Sequence, residues 1–220
     1  MILHDNFVFI HHPHSAGLFT QSILCKYVPE DMDDYNNNLQ SKGNRLSLNG
    51  IKYHNHNGVI DIPYEYEDKF KFGIVKNPYI WYVSYYYYNL RSETDLKEEE
   101  LNNFDSFMDS MNSIYEYNKL GRYSGFFTNL FTYENKFAEN DILCDLNYLC
   151  DVRNLIDELF NVFDITNTKL NNEQKEWIIN LKKYNTSDYN DYREFYTDEL
   201  IDKVSKWDKS IIEHFNYKFE

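Results

Sequence analysis

Phe7-Val8-Phe9-Ile10-His11-His12-Pro13-His14-Ser15-Ala16-Gly17 is the stretch on which the reading of the fold turns. Four consecutive apolar residues, two aromatic and two β-branched, predict a strand buried on both faces. Pro13 has no N–H to give a ladder, so the strand ends at or before it. Leu18, Ile23, Leu24 and Tyr27 then predict a helix over 15–27. A strand, a tight turn and a helix N-terminus form an anion site, because unpaired backbone N–H groups and the positive end of the helix dipole point outward together. Ser15, Ala16 and Gly17 are small enough to let an anion reach the backbone. Taken alone, the same turn is equally an ordinary strand–loop–helix unit without a ligand.

Further along the chain, Lys71-Phe72-Gly73-Ile74-Val75-Lys76 predicts a second central strand. Asn77-Pro78 ends it and opens a helix over 78–90, since Asn caps well and Pro suits the first helical position. That helix carries Tyr79, Trp81, Tyr82 and Tyr85 to Tyr88, so it is expected to be largely buried, with the tyrosine run as core. Lys76 falls at a strand's carboxyl end, where ligands bind in open α/β sheets. Ser84 lies seven residues beyond Asn77 and returns to nearly the same helix face, roughly 10 Å along. A cation and a hydroxyl so placed suit a phosphate. The alternative is a solvated Lys76 and a Ser84 satisfied by its own helix.

Residues 29–50 are polar and without period, and read as a loop. Ile51 to Gly58 is a short strand or strand end that carries His54 and His56. Phe104 to Ile114 has helical spacing within 104–118, Gly121 breaks it, and Phe126 to Phe131 forms another short helix. Asp141-Ile142-Leu143-Cys144 is expected to be a third parallel strand. Helical periods recur over 152–163, 173–183 and 198–214, the last capped by Thr197. Strands alternating with helices make this an α/β chain with a mostly parallel sheet.

At 220 residues the chain is expected to form a single domain, with 42% hydrophobic and 18% aromatic content arguing for a folded core. A net charge of −14 opposes general nucleic-acid binding, yet leaves room for a small anion on a local basic patch. Three cysteines, odd in number and without C-x-x-C spacing, predict reduced thiols and a cytoplasmic setting. No window has the apolar length of a membrane span.

Three segments in order resemble the sulfotransferases that use 3′-phosphoadenosine-5′-phosphosulfate (PAPS), the carbohydrate-type branch above all. Phe9-Ile10-His11-His12-Pro13-His14-Ser15-Ala16-Gly17-Leu18 is similar to F-I-x-x-P-K-T-[AG]-[GT]-T, the loop that holds the 5′-phosphosulfate. Lys76-Asn77-Pro78-Tyr79-Ile80-Trp81-Tyr82-Val83-Ser84-Tyr85-Tyr86 is similar to R-N-P-x-x-R-x-x-S-x-Y, which holds the 3′-phosphate. Tyr192-Arg193-Glu194-Phe195-Tyr196-Thr197-Asp198-Glu199-Leu200-Ile201, closing in Phe215-Asn216-Tyr217, looks like the family's C-terminal run.

The resemblance implies a P-loop-like three-layer α/β domain with a mostly parallel central sheet of about four or five strands, flanked by helices. It implies sulfuryl transfer from PAPS to a hydroxyl, with a carbohydrate as acceptor. His14, Ser15, Ala16, Gly17, Lys76, Ser84 and Arg193 would hold the donor, with no metal. His14 replaces the family lysine beside the bridging oxygen, Lys76 replaces an arginine, and Trp81 replaces the second arginine. Imidazole can serve at position 14 as imidazolium or as an N–H donor. His54 or His56 could remove the acceptor's proton, though His-x-His also fits a metal pair or a structural role. The rival function is a non-catalytic nucleotide- or glycan-binding protein on the same fold. A P-loop kinase is opposed by the absence of G-x-x-x-x-G-K-[ST].

Overall fold

In the computed structural model, residues 1–25, 46–48, 51–53, 57–91, 96–111, 120–133, 144–181 and 189–220 are described. They fall into two compact units. The first takes Met1–Val75, Leu130–Tyr133 and Asp145–Asn185, and the second Lys76–Asn129, Glu134–Cys144 and Thr186–Glu220.

The first unit is built on one sheet. Its strands are β1 (Ile2–Leu3), β2 (Phe7–Ile10), β3 (Leu46–Leu48), β4 (Ile51–Tyr53), β5 (Phe70–Val75) and β6 (Tyr148–Asp151), in the order β3-β4-β1-β2-β5-β6. The parallel part is β2-β5-β6, with Phe7 opposite Phe70 and Phe72 opposite Tyr148. β1, β4 and β3 extend it antiparallel. β1 turns straight into β2: the His4 N–H donates to the Phe7 carbonyl at 2.9 Å and the Phe7 N–H returns to His4 at 3.3 Å.

The third parallel strand is β6; of 141–144, where a strand is expected, 141–143 lie outside the described residues and Cys144 lies outside any strand. Leu46–Leu48 pairs with Ile51–Tyr53, although 29–50 read as loop throughout.

Phe7, Phe9, Phe72 and Ile74 alternate along β2 and β5 and so share one face of the sheet. They pack with Phe19, Ile23 and Leu24 of α1 (Gly17–Cys25), with Leu155, Leu159, Val162 and Phe163 of a second helix, Leu155–Ile165, and with Ile178 of a third, Asn172–Asn180. Burial of these aromatic and branched side chains is the main force holding the unit together, at about 1.5–3 kcal/mol each. Close against β5, the Phe131 ring leaves no room for a side chain at position 73: a Cβ there would fall 2.6 Å from its Cζ.

The second unit is helical. Taken with the helices above, the chain order is α1, α2 (Pro78–Arg91), α3 (Phe104–Ser110), α4 (Arg122–Phe131), α5 (Leu155–Ile165), α6 (Asn172–Asn180), α7 (Asp198–Trp207) and α8 (Lys209–His214). α4 begins in the helical unit, and its last residues, Leu130 and Phe131, belong to the sheet unit. α2 is buried on most sides, as its composition predicts, with Trp81 and Tyr82 fully enclosed. Tyr86 packs against Phe104 and Phe107 of α3 at ring separations of 5.5 and 5.2 Å. The helix expected over 198–214 is two helices broken at Asp208. Thr197 caps the first through the Leu200 N–H, 3.3 Å away.

Candidate functional site

The turn after β2 departs from ordinary backbone geometry. His14 and Ala16 both lie in the left-handed region, at φ 58° and 57°. Each costs a non-glycine residue on the order of 1–2 kcal/mol, and such strain persists only where the surroundings impose it. The turn is braced from inside. His12 is fully buried, with Nδ1 3.0 Å from the Pro13 carbonyl oxygen and 3.1 Å from Ser15 Oγ. A ring nitrogen facing a carbonyl carries the proton, so the Nδ1–H tautomer fits this loop. The Ser15 N–H donates to the His12 carbonyl at 3.4 Å.

Two predicted site residues have close partners within the loop. Ser15 is fully buried, and its hydroxyl faces His12. What comes close to Gly17 is the His11 ring: a Cβ at position 17 would lie 1.7 Å from His11 Nε2. His14 and Ala16 are half-buried and are the more accessible members of the turn. α1 opens directly behind them, with the Thr20 N–H bonded to the Ala16 carbonyl at 3.0 Å.

In the helical unit, Lys76 and Asn77 lead into α2. The Asn77 side chain accepts the Tyr79 N–H at 3.1 Å, the cap that Asn77-Pro78 predicts, and its amide donates to the Lys218 carbonyl at 2.9 Å. Lys76 Nζ donates to Ser84 Oγ at 2.7 Å, so the two predicted phosphate ligands meet. Ser84 also donates to the Ile80 carbonyl at 3.0 Å, so the helix-satisfied alternative holds as well and does not exclude the pairing. Burial of the ammonium lowers the Lys76 pKa to about 8. Burial raises the Tyr189 phenol above its ordinary value of 10. The Lys76 backbone is held separately, its N–H donating to the Tyr123 hydroxyl at 3.0 Å.

Tyr123 is fixed in turn by a buried cap on α4. Asp208, fully buried at the break between α7 and α8, accepts both the Ser124 N–H (3.0 Å) and the Ser124 hydroxyl (2.6 Å). The Tyr82 hydroxyl bonds the same carboxylate and accepts the Tyr123 N–H at 3.4 Å. These contacts satisfy helix-terminal donors from a distant part of the chain. Desolvation raises the Asp208 carboxyl to about 6, against the lowering effect of the Ser124 and Tyr82 hydrogen bonds.

Arg193 is exposed, and its guanidinium is engaged with Asp191, Nε lying 2.8 Å from both carboxylate oxygens. Trp81, at the family's second arginine position, is a core residue against Tyr123 at 5.3 Å. His54 and His56 lie outside the described residues. Among the described residues no group of three His, Cys, Asp or Glu side chains could hold a metal, and no helix is long and apolar enough to cross a membrane. Tyr123 and Asp208 carry no sequence signal, because each reaches its partner across a long stretch of chain.

No protein-family profile matches the chain, and none of the curated proteins does. Among solved structures it is similar to the mouse sulfotransferase SULT7A1 complexed with PAP. The TM-score is 0.54 at 12% identity, over 98% of this chain and 84% of that one. The fold is that of the sulfotransferases. At this identity the shared property is the α/β architecture.

Proposed function

We propose that this protein transfers a sulfuryl group from PAPS to a hydroxyl, with a carbohydrate as the acceptor class. The observation that carries the reading is the Lys76–Ser84 pair, joined at 2.7 Å at the start of α2 on a sulfotransferase fold. Lys76 and Ser84 are assigned to the nucleotide's 3′-phosphate, and Arg193 to the donor nucleotide. The backbone of His14, Ser15, Ala16 and Gly17 is assigned to the 5′-phosphosulfate, with one donor side chain, that of His14. In the reaction the acceptor oxygen attacks sulfur, the bond from sulfur to the bridging oxygen breaks, and the adenosine 3′,5′-bisphosphate leaves. His14 is assigned the donation that stabilises the departing phosphate oxygen. His54 or His56 is assigned the acceptor's proton. The cysteine content supports a cytoplasmic setting.

A second reading, a non-catalytic nucleotide or glycan binder, is favoured by two observations. Imidazole stands where the family uses an ammonium, and the Ser15 hydroxyl faces into its own loop. Calorimetry with 3′,5′-adenosine bisphosphate beside ATP tests what both readings share in a nucleotide site. Binding of the bisphosphate with none of ATP supports it. Equal binding of the two, or none of either, refutes it.

A further inference from the structure

His12 is assigned no part by the sequence motifs or the fold comparison, yet it holds the turn after β2 from the inside. Its ring is fully buried beside Phe131, with ring centroids 5.8 Å apart. From there Nδ1 stands 3.0 Å from the Pro13 carbonyl oxygen and 3.1 Å from Ser15 Oγ. A carbonyl only accepts, so Nδ1 carries the proton and shares one N–H between the two oxygens. The hydrogen of the Ser15 hydroxyl is directed at the Pro13 carbonyl, 3.5 Å away, which leaves an oxygen lone pair to His12. The Ser15 N–H returns to the His12 carbonyl at 3.4 Å, so Ser15 is tied to residue 12 by backbone and side chain alike.

Ser15 sits between the two strained residues of the turn. His14 and Ala16, on either side of it, have φ of 58° and 57°. Neither is glycine, and a left-handed backbone at such residues persists only where contacts impose it. The contacts that fix the residue between them come from His12. Backbone that passes in and out of the left-handed region turns successive N–H groups towards one concavity, which suits an anion. With the Ser15 hydroxyl drawn inward, an anion is left to the backbone of the turn.

We propose that His12 is a positioning residue of the phosphosulfate turn: its Nδ1–H draws the Pro13 carbonyl and the Ser15 hydroxyl inward, and so keeps His14 and Ala16 in the backbone geometry that receives the 5′ end of the donor. The proposal rests on the nucleotide site proposed above. His12 acts through Ser15 and touches neither the nucleotide nor the acceptor.

The test is calorimetric titration of the full chain with 3′,5′-adenosine bisphosphate and, in parallel, with adenosine 3′-phosphate, which lacks the 5′ group. Three variants are compared. His12→Phe keeps an aromatic ring beside Phe131 and has no N–H. His12→Asn offers an amide nitrogen at the place of Nδ1, whereas His12→Gln offers one at the place of Nε2. A thermal melt verifies the fold of each. The expected result is about tenfold weaker bisphosphate binding in His12→Phe and His12→Gln, the loss of one hydrogen bond to a charged group as the turn relaxes, with less than about twofold change for adenosine 3′-phosphate. His12→Asn should recover most of the bisphosphate affinity. Unchanged bisphosphate binding in His12→Phe, equal loss for both ligands, or the same loss in His12→Asn as in His12→Gln overturns the proposal and leaves His12 as packing. Should His12→Phe fail to fold, the Asn and Gln variants decide, together with nitrogen NMR of the imidazole in the unmodified chain, where a bare Nδ1 overturns the proposal. If the unmodified chain binds the bisphosphate no better than adenosine 3′-phosphate, the 5′ site itself fails and the role of His12 falls with it. That failure is read from the unmodified chain alone.

Discussion

Replacing Lys76 by arginine and titrating with 3′,5′-adenosine bisphosphate across pH 6.5 to 9.5 exposes what the choice of cation does. In the free protein, burial lowers the Lys76 ammonium to about 8. The bound phosphate stabilises the charged form and raises that pKa, so binding takes up a proton whenever Lys76 is neutral beforehand. The affinity is therefore complete well below pH 8 and declines as pH rises above it. About nine-tenths of Lys76 is charged at pH 7 and about one-tenth at pH 9, which weakens binding roughly tenfold between them, or about 1.4 kcal/mol. Calorimetry in buffers of different ionisation heat should show uptake of about half a proton per nucleotide at pH 8. Arginine stays protonated throughout, so Lys76→Arg should flatten the decline and abolish the uptake. A flat profile for the unmodified chain, or the same decline in both proteins, would refute the placement of Lys76 at the phosphate.

Three further outcomes follow from contacts elsewhere. Asp208 has a folded pKa of about 6 against an ordinary 3.8, so the folded chain holds the extra proton and stability falls as pH rises through that window, by up to about 3 kcal/mol. Asp208→Asn keeps an acceptor for Ser124 and removes the charge; by urea unfolding its stability relative to the unmodified chain should grow from pH 4 to 7, and a constant difference contradicts the buried carboxylate. Gly17→Ala places a methyl against the His11 ring and should destabilise by about 1–3 kcal/mol, with part recovered in the Gly17→Ala/His11→Ala double variant; strict additivity means the two residues do not touch. Tyr123→Phe strips the acceptor from the Lys76 N–H and should cost about 1–3 kcal/mol in the same assay, whereas an unchanged midpoint shows the bond is dispensable.

Much of this architecture was legible locally. The apolar run Phe7 to Ile10, stopped by Pro13, is β2, and Asn77-Pro78 opens α2 with the predicted cap. Spacing along one helix was enough to bring Lys76 and Ser84 together. What escaped was set by distance in the chain. Tyr148-Leu149-Cys150 pairs with β5, and nothing in so short an apolar run marks it out in the sequence. The period from Leu200 to Ile212 runs on through Asp208, whose carboxylate leaves the helix pattern to cap α4. Gly17 lies close against the His11 ring and the Ser15 hydroxyl faces His12, contacts that the spacing along the turn does not specify.

The most direct measurement of the central proposal is sulfuryl transfer from PAPS labelled in its sulfate to a panel of glycans, for the unmodified chain, His14→Ala and His14→Lys, across pH 5.5 to 8.5. The expected results are transfer by the unmodified chain that falls as pH rises and imidazolium is lost, nucleotide binding without turnover in His14→Ala, and a flattened fall in His14→Lys. Turnover undiminished in His14→Ala, or no transfer by the unmodified chain to any acceptor, would contradict it.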